Sequence, residues 1–476
     1  MNGRLPLEGI RVLDNGIVQA GTFPARLLSD FGAEVVRVEN YCNPDLSRNA
    51  VFPDGRPGDP YWEGGGTYHE QFRNKSFSVG LDVRKPEGRD AFLRLVKVSD
   101  IVLDSHPPGV LDRLQLGYEA LREAREDIIF VSTSGYGFGG PLSPVRSYGM
   151  MTELMCGSAW LNGYPGEPPR RGACPLTDHP AVFHAAFLMM AALLYRRRTG
   201  RGTWLDISQY EAAVNVLGDA HLAHALGAPV PTRVGNNEPG AVFSGCFRCK
   251  GEDRWITISV PDQQAWQGLC TTVGLEDSAS RQVTSAPLDT TLEQRLRETI
   301  AAWAEVRSPE EAFAELSAAG VPSGPVNNVR DLLLDPHLEE RGFFWGVEHA
   351  PEQHSGWRAW PGASARLTAT PARLRTRAPM LGEHNRLIAT TLMGYSDAEF
   401  EQLEASGAFG TRPLAAESKP APQDPTARLG LGPAASSFRA KEIDRDFKQR
   451  LKRRFGDQYG EVRTAARTAA HREIRT

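Results

Sequence analysis

Leu7-Glu-Gly-Ile-Arg-Val-Leu-Asp14, the helical run at residues 22–31, and Gly32-Ala-Glu-Val-Val-Arg-Val-Glu39 together decide the fold. Residues 10–14 form an apolar run of strand length. Residues 22–31 have helical spacing with Leu27 and Leu28 turned inward, and Gly32 stands where a helix C-cap glycine belongs. Residues 34–39 alternate with the period of two that sends successive side chains to opposite faces of a strand. A strand, a helix and a second strand in such close succession predict a parallel pair joined by a crossover helix.

The alternation continues outward. Strands are predicted at 77–81, 100–103 and 128–134, with helices at 87–98, 110–114 and 118–126 between them. Such a pattern implies a parallel sheet covered on both faces, whose ligands bind beyond the carboxyl ends of the strands. Between these elements, residues 40–66 are rich in Gly, Pro and Asp, the composition of a long loop. Helices follow at 180–197 and 208–226, then a Gly/Pro-punctuated linker at 234–245 and a hairpin at 245–260. Further helices at 264–273, 292–302 and 309–319 point to a smaller second domain.

These patterns divide the chain into a large α/β domain (1–225), a small α+β domain (226–330) and a return segment that completes the large domain (331–405). A Pro/Ala-rich linker and basic tail (406–476) come last. Residues 438–476 hold twelve Lys/Arg against six Asp/Glu. Phe447, Leu451 and Phe455, spaced i, i+4, i+8, predict one short amphipathic helix there with a basic face.

Apolar residues make up 41% of the 476 residues and charged ones 24%, with a formal charge of -4. That is globular composition, and neither a nucleic acid nor a membrane is expected as partner. The apolar stretch 181–195 is shorter than the roughly 18 residues a span needs, and it contains His184. No basic segment followed by an apolar core opens the chain, so a cytoplasmic location with reduced thiols is expected for its six cysteines. Cys246 and Cys249 form a lone CxxC on a predicted strand, where odd spacing sends them to opposite faces; no metal site is expected.

The opening βαβ unit lacks a GxGxxG fingerprint. Gly135-Tyr-Gly137-Phe-Gly139-Gly140 satisfies it and follows a strand, but Pro141, Ser143 and Pro144 come where the phosphate-binding helix should begin. Dinucleotide binding is therefore not expected.

The same N-terminal segments resemble the family III CoA-transferases, the CaiB/BaiF group. So do Asn74-Lys75, Pro108-Gly-Val-Leu-Asp-Arg113, Ser134-Gly-Tyr-Gly137, Thr199-Gly-Arg-Gly202 and Leu381-Gly-Glu-His384, in order, over about residues 5–405. The resemblance implies a Rossmann-like large domain with a parallel sheet and a smaller inserted α+β domain. It also implies an interlocked homodimer, with acyl-CoA and a carboxylic acid as substrates and no permanently bound cofactor.

By this resemblance Asp178 is the catalytic nucleophile, although on local sequence alone it reads as a helix N-cap. A transferase must conserve thioester energy. A carboxylate does so by forming a mixed anhydride and then an aspartyl-CoA thioester, whereas a base that activates water would lose the energy to hydrolysis. The start of a helix is expected to keep the carboxylate ionised. Gln19 matches a glutamine beside the acyl group, able to donate to a developing oxyanion.

Coenzyme A carries phosphates, so cations and backbone N–H groups should line its path. By resemblance Gln19, Ala20, Lys75, Arg113 and Arg146 contact it, and Phe72, Asn74, Ser105, His106, Pro107 and Tyr148 line the site. Two departures stand out: Asn40 replaces a frequent basic residue, and Asp104-Ser-His106-Pro107 replaces the usual Glu-Asn-aromatic run. Phe72, Tyr136, Trp160 and Tyr164 could make the acyl pocket apolar. Gly235-Asn-Asn-Glu-Pro-Gly240 lacks the glycine run of formyl-CoA transferases, which counts against formyl/oxalate exchange.

Two other functions stay open. An α-methylacyl-CoA racemase would need a second base, and Ser147-Tyr148-Gly149 stands where such enzymes carry Gly-His-Asp. A CoA-binding scaffold without catalysis would not need Asp178 and Gln19.

Overall fold

The computed structural model describes residues 4–49, 60, 62–64, 76–172, 176–229, 232–284, 288–414 and 446–461. The chain divides into two compact units, one of residues 1–156, 173–218 and 333–476, the other of 157–172 and 219–332.

The first unit is built on a six-stranded parallel sheet of order β3-β2-β1-β4-β5-β6. Its strands are β1 Arg11–Asn15, β2 Glu34–Glu39, β3 Phe77–Gly80, β4 Ile101–Asp104, β5 Ile129–Ser134 and β6 Thr203–Ser208. Registers such as Val12 with Val35 and Leu13 with Val102 align the strands so that one side-chain parity serves each face. Leu13, Val36, Val38, Val79, Val102 and Phe130 face one layer with Phe92 and Leu95 of helix α1 (Pro86–Lys97). Val12, Val35, Ile101, Leu103 and Val131 face the other, against Ala181, Ala185, Met189 and Ala192 of α2 (Asp178–Thr199). The near-continuous apolar strands follow from burial on both faces. The parallel sheet expected from the alternation is present, and a smaller sheet accompanies it in the second unit.

Residues 385–409 return to the first layer, adding Ile388, Leu392, Phe400 and Phe409. Asn385 accepts from Gly80 N at 2.8 Å and Tyr41 donates to Gly407 O at 2.8 Å, tying this segment to the sheet edge.

The predicted helix at 208–226 is interrupted. Gln209–Val214 is α-helical (α3), Asn215–Leu217 tightens to a 3-10 turn, and Gly218–Ala225 resumes. Asn and Gly are weak helix formers and sit at the break. The strand β6 was not predicted. It is a half-exposed edge strand, so its apolar signal is diluted.

The second unit holds an antiparallel hairpin, Phe243–Arg248 with Trp255–Val260, and a third strand, Ser323–Pro325. Its core gathers Trp266, Leu269, Ile300 and Leu316 from flanking helices. Cys246 lies on the first strand of this hairpin and Cys249 in its turn, both as free thiols whose pKa values burial pushes up.

In the tail, Phe447–Phe455 is helical. Leu451 is buried, and the Phe455 ring meets Phe344 and Trp357 of the first unit's own hairpin, Phe344–Glu348 with Trp357–Pro361. The apolar stripe faces inward and the exposed Lys448, Arg450 and Arg453 face solvent. Among the described residues no helix is long and apolar enough to cross a membrane.

Candidate active site

The strand order reverses direction between β1 and β4, and loops leaving neighbouring strands at such a switch point diverge to open a crevice. A cavity of about 540 Å³ lies there, lined among others by Asn15, Gly16, Arg37, Asn40, Arg84, His106, Arg113 and Tyr148.

The β1 loop is pinned to the β4 loop. Ile17 N donates to Ser105 Oγ at 2.8 Å, and Ser105 Oγ donates back to Ile17 O at 3.2 Å. A Cβ on Gly21 would stand 1.9 Å from that hydroxyl, so only glycine permits the approach. Gln19 closes the turn, its carbonyl accepting from Thr22 N at 3.2 Å and Phe23 N at 3.0 Å, and Ala20 is buried behind it. His106 Nδ1 lies 2.7 Å from Asp104 Oδ1, which also accepts from Asn15 Nδ2 at 2.8 Å. Burial opposes a charged imidazole, but Asp104 outweighs it and the His106 pKa is raised. That favours a cation on the cavity wall.

Beneath the cavity lies a buried ionic layer. Arg48 donates to Glu39 Oε1 at 2.7 Å and to Glu63 Oε2 at 3.2 Å; Arg37 donates to Asp45 Oδ2 at 3.3 Å and to Gly16 O. Both guanidiniums are about 1% exposed. Asp45 in turn accepts from Val18 N at 2.8 Å, which fixes the loop ahead of Gln19.

Asp178 is the first residue of α2, preceded by Thr177. Thr177 Oγ1 donates to Gly149 O at 2.8 Å and meets Thr152 Oγ1 at 2.8 Å, which draws helix α4 (Gly149–Met155) onto the start of α2. A Cβ on Gly149 would sit 2.3 Å from Asp178 Oδ1, inside the carboxylate's own space. Gln209, the first residue of α3, donates its Nε2 to Asp178 Oδ1 at 3.3 Å. Asp178 is 8% exposed, and its pKa is raised to about 6, first by burial and then by Glu153. This corrects the expectation that the helix start holds it well ionised: desolvation and a like charge outweigh the dipole.

Of the predicted site residues, His106, Arg113 and Tyr148 line the cavity. Asp178 does not, but Gly149, which abuts it, directly follows Tyr148. Among the described residues Gln19 makes no hydrogen bond to Asp178. Arg146 and Pro107 are exposed. Phe72, Asn74 and Lys75 lie outside the described residues. Trp160 and Tyr164 belong to the second unit, where Arg233 sits 5.0 Å over the Trp160 ring and Arg170 5.7 Å over the Tyr164 ring.

Sequence reasoning missed Arg84, Glu153 and Gln209. Arg84 stands on the cavity wall just past β3 and is held by Asp82 at 2.7 and 2.9 Å. Its signal was available, a basic residue at the carboxyl end of a parallel strand.

Residues 7–385 match the model of CoA-transferase family III. Among curated proteins, the chain is 31% identical to a succinyl-CoA–D-citramalate CoA-transferase of Chloroflexus aurantiacus, covering 84% of this chain and 97% of that one. It is 32% identical to a probable CoA-transferase of Mycobacterium tuberculosis, over 84% of this chain but only 50% of that longer protein. It is 26% identical to the human succinyl-CoA:glutarate CoA-transferase, covering 86% and 90%. Among solved structures, a CaiB/BaiF family protein from Brucella suis aligns with TM-score 0.71 at 25% identity, covering 82% of this chain and all of that one.

Proposed function

Because this chain belongs to CoA-transferase family III, we propose that it moves coenzyme A from an acyl-CoA to a free carboxylic acid, with Asp178 carrying first the acyl group and then the coenzyme. The observation that supports this reading best is the packing of the Asp178 carboxylate on Gly149, next in the chain to Tyr148 on the wall of the switch-point cavity. Burial suits a group that must hold an anhydride and a thioester away from water. The cations of the cavity, Arg84, Arg113 and His106, suit the phosphates of the coenzyme. Gln19 and Ala20, together with Phe72, Asn74, Lys75 and Arg146, complete the proposed CoA contacts.

The test is trapping. The enzyme is incubated with acyl-CoA, quenched with hydroxylamine or borohydride, and searched by mass spectrometry for modification at Asp178. Failure to find any adduct there across the donor panel would overturn the reading. Succinyl-CoA with dicarboxylic acceptors heads that panel, since three relatives in Chloroflexus and mammals are named for such pairs.

The nucleophile must be ionised, so kcat/KM should fall tenfold per unit below an acid limb near the Asp178 value of about 6. Glu153, on α4, is the titratable group that raises it. Glu153→Gln should therefore move the limb to lower pH in a pH–rate profile.

The second reading is an α-methylacyl-CoA racemase, which would need a base opposite Asp178 where Ser147-Tyr148-Gly149 stands. It predicts α-proton exchange with solvent in deuterium oxide without any acceptor acid; the transferase reading predicts none.

The enzyme is further proposed to be a cytoplasmic homodimer. Phe183, Phe187 and Leu194 on α2 are 58, 70 and 52% exposed, an apolar stripe of the kind a partner subunit covers.

A further inference from the structure

The proposed reaction makes two different carbonyl carbons electrophilic. When the Asp178 carboxylate attacks the acyl-CoA, negative charge develops on the substrate's oxygen. When the coenzyme then returns, its thiolate sulfur attacks Cγ of Asp178 in the mixed anhydride. A C–S bond forms, the C–O bond to the donor's carboxylate breaks, and that carboxylate leaves with the electron pair. Charge now develops on the aspartyl oxygen. The acceptor's carboxylate attacks the same carbon in the next step, expels the CoA thiolate and charges the same oxygen again. One donor cannot serve both carbonyls unless it moves between them, and a preorganised donor is worth most when it does not move.

We propose that Gln209 is a further catalytic residue, the oxyanion donor for the aspartyl carbonyl. This rests on the reading of Asp178 as nucleophile. Gln209 Nε2 already donates to Asp178 Oδ1 at 3.3 Å, and Gln209 is itself buried. An oxygen held this way remains the carbonyl oxygen in the anhydride and the thioester, and leaves Oδ2 to attack. Gln209 is also held independently of that bond. Ser208 caps α3 by accepting from Glu211 N at 3.2 Å, and the β6 strand runs directly into the helix. Gly149 also packs on this carboxylate, too near for any side chain to enter. An amide suits this place because its N–H donates at every pH and stage, whereas a titrating donor would add a third charge beside Glu153.

The test separates the two carbonyls. Wild-type enzyme, Gln209→Met and Gln209→Leu are mixed with acyl-CoA alone, acid-quenched at intervals, and analysed for free CoA and for CoA bound covalently to Asp178. Both variants should release the first CoA within a few-fold of the wild-type rate. Covalent aspartyl-CoA should form about 10²-fold or more slowly, with net exchange falling by the same factor. Binding of CoA, measured by calorimetry, should be unchanged. If both steps slow alike, Gln209 is only structural; if neither slows, it is not a donor; either result overturns the proposal. The second neutral variant, Gln209→Leu, and urea midpoints equal to wild type guard against a folding defect in the methionine variant. Should Asp178→Ala retain exchange, the nucleophile reading itself fails, an outcome distinct from failure of the Gln209 split alone.

Discussion

Replacing Asp178 by alanine is expected to lower kcat/KM for CoA exchange by at least about 10⁴-fold while CoA affinity stays within a few-fold. Neither of the groups that touch its carboxylate can form an activated adduct in its place, since Gln209 is an amide and Gly149 has no side chain, and the nearby Glu153 is only 2% exposed. The same variant should be more stable than the wild type at neutral pH. Asp178 has a pKa of about 6 in the folded chain against 3.8 as its ordinary value. A raised carboxyl means the folded state holds its proton more tightly than the unfolded state. The contribution is therefore fully present below pH about 3.8, is lost as pH rises through about 6, and stays lost above. Removing the charge should recover about 3 kcal/mol at pH 7.5 and little at pH 4. Urea titrations of wild type, Asp178→Ala and Asp178→Asn at the two pH values check this. Equal midpoints at pH 7.5 would show that the carboxylate is not strained by its burial, and retained turnover would refute its role.

The parts of this molecule legible in its sequence are those written locally. The β1–α–β2 opening, a ligand site beyond the carboxyl ends of the strands and the position of Asp178 ahead of an apolar helix all rest on short local patterns, whereas the switch point needs the strand order. What was not legible depends on contacts across the chain. Gln209 sits in a stretch that reads as one amphipathic helix, and nothing nearby marks it as the partner of a residue 31 positions earlier. Glu153 carries no local mark, and it is 2% exposed because Thr152 and Thr177 draw two helices together. Burial, not the dipole, then decides the state of Asp178. The long loop was recognised by composition, but not that Asp45, Arg48 and Glu63 within it fold back under the cavity as buried charges.

That buried layer carries the second large effect. Arg48→Met is expected to destabilise the first unit by about 3–5 kcal/mol, because it removes the nearest guanidinium from two carboxylates that have left water. Arg48 bridges Glu39, at the carboxyl end of β2, to Glu63, whose other oxygen accepts from Leu381 N at 3.0 Å. One side chain therefore joins the sheet, the long loop and the return segment. Methionine fills similar volume, so the loss reports charge rather than a cavity. Glu63 already has a raised pKa, with burial outweighing the pull of Arg48. Without that arginine its folded value must rise further, and the cost of holding it ionised is felt only when the solvent would deprotonate it. The deficit of Arg48→Met against wild type should therefore be larger at pH 8 than at pH 5. Adding Glu63→Gln to Arg48→Met should recover part of the loss at pH 8. Urea unfolding followed by tryptophan fluorescence measures the wild type and both variants. A deficit that is small or independent of pH would mean that this layer is packed by its neighbours rather than bound by its charges.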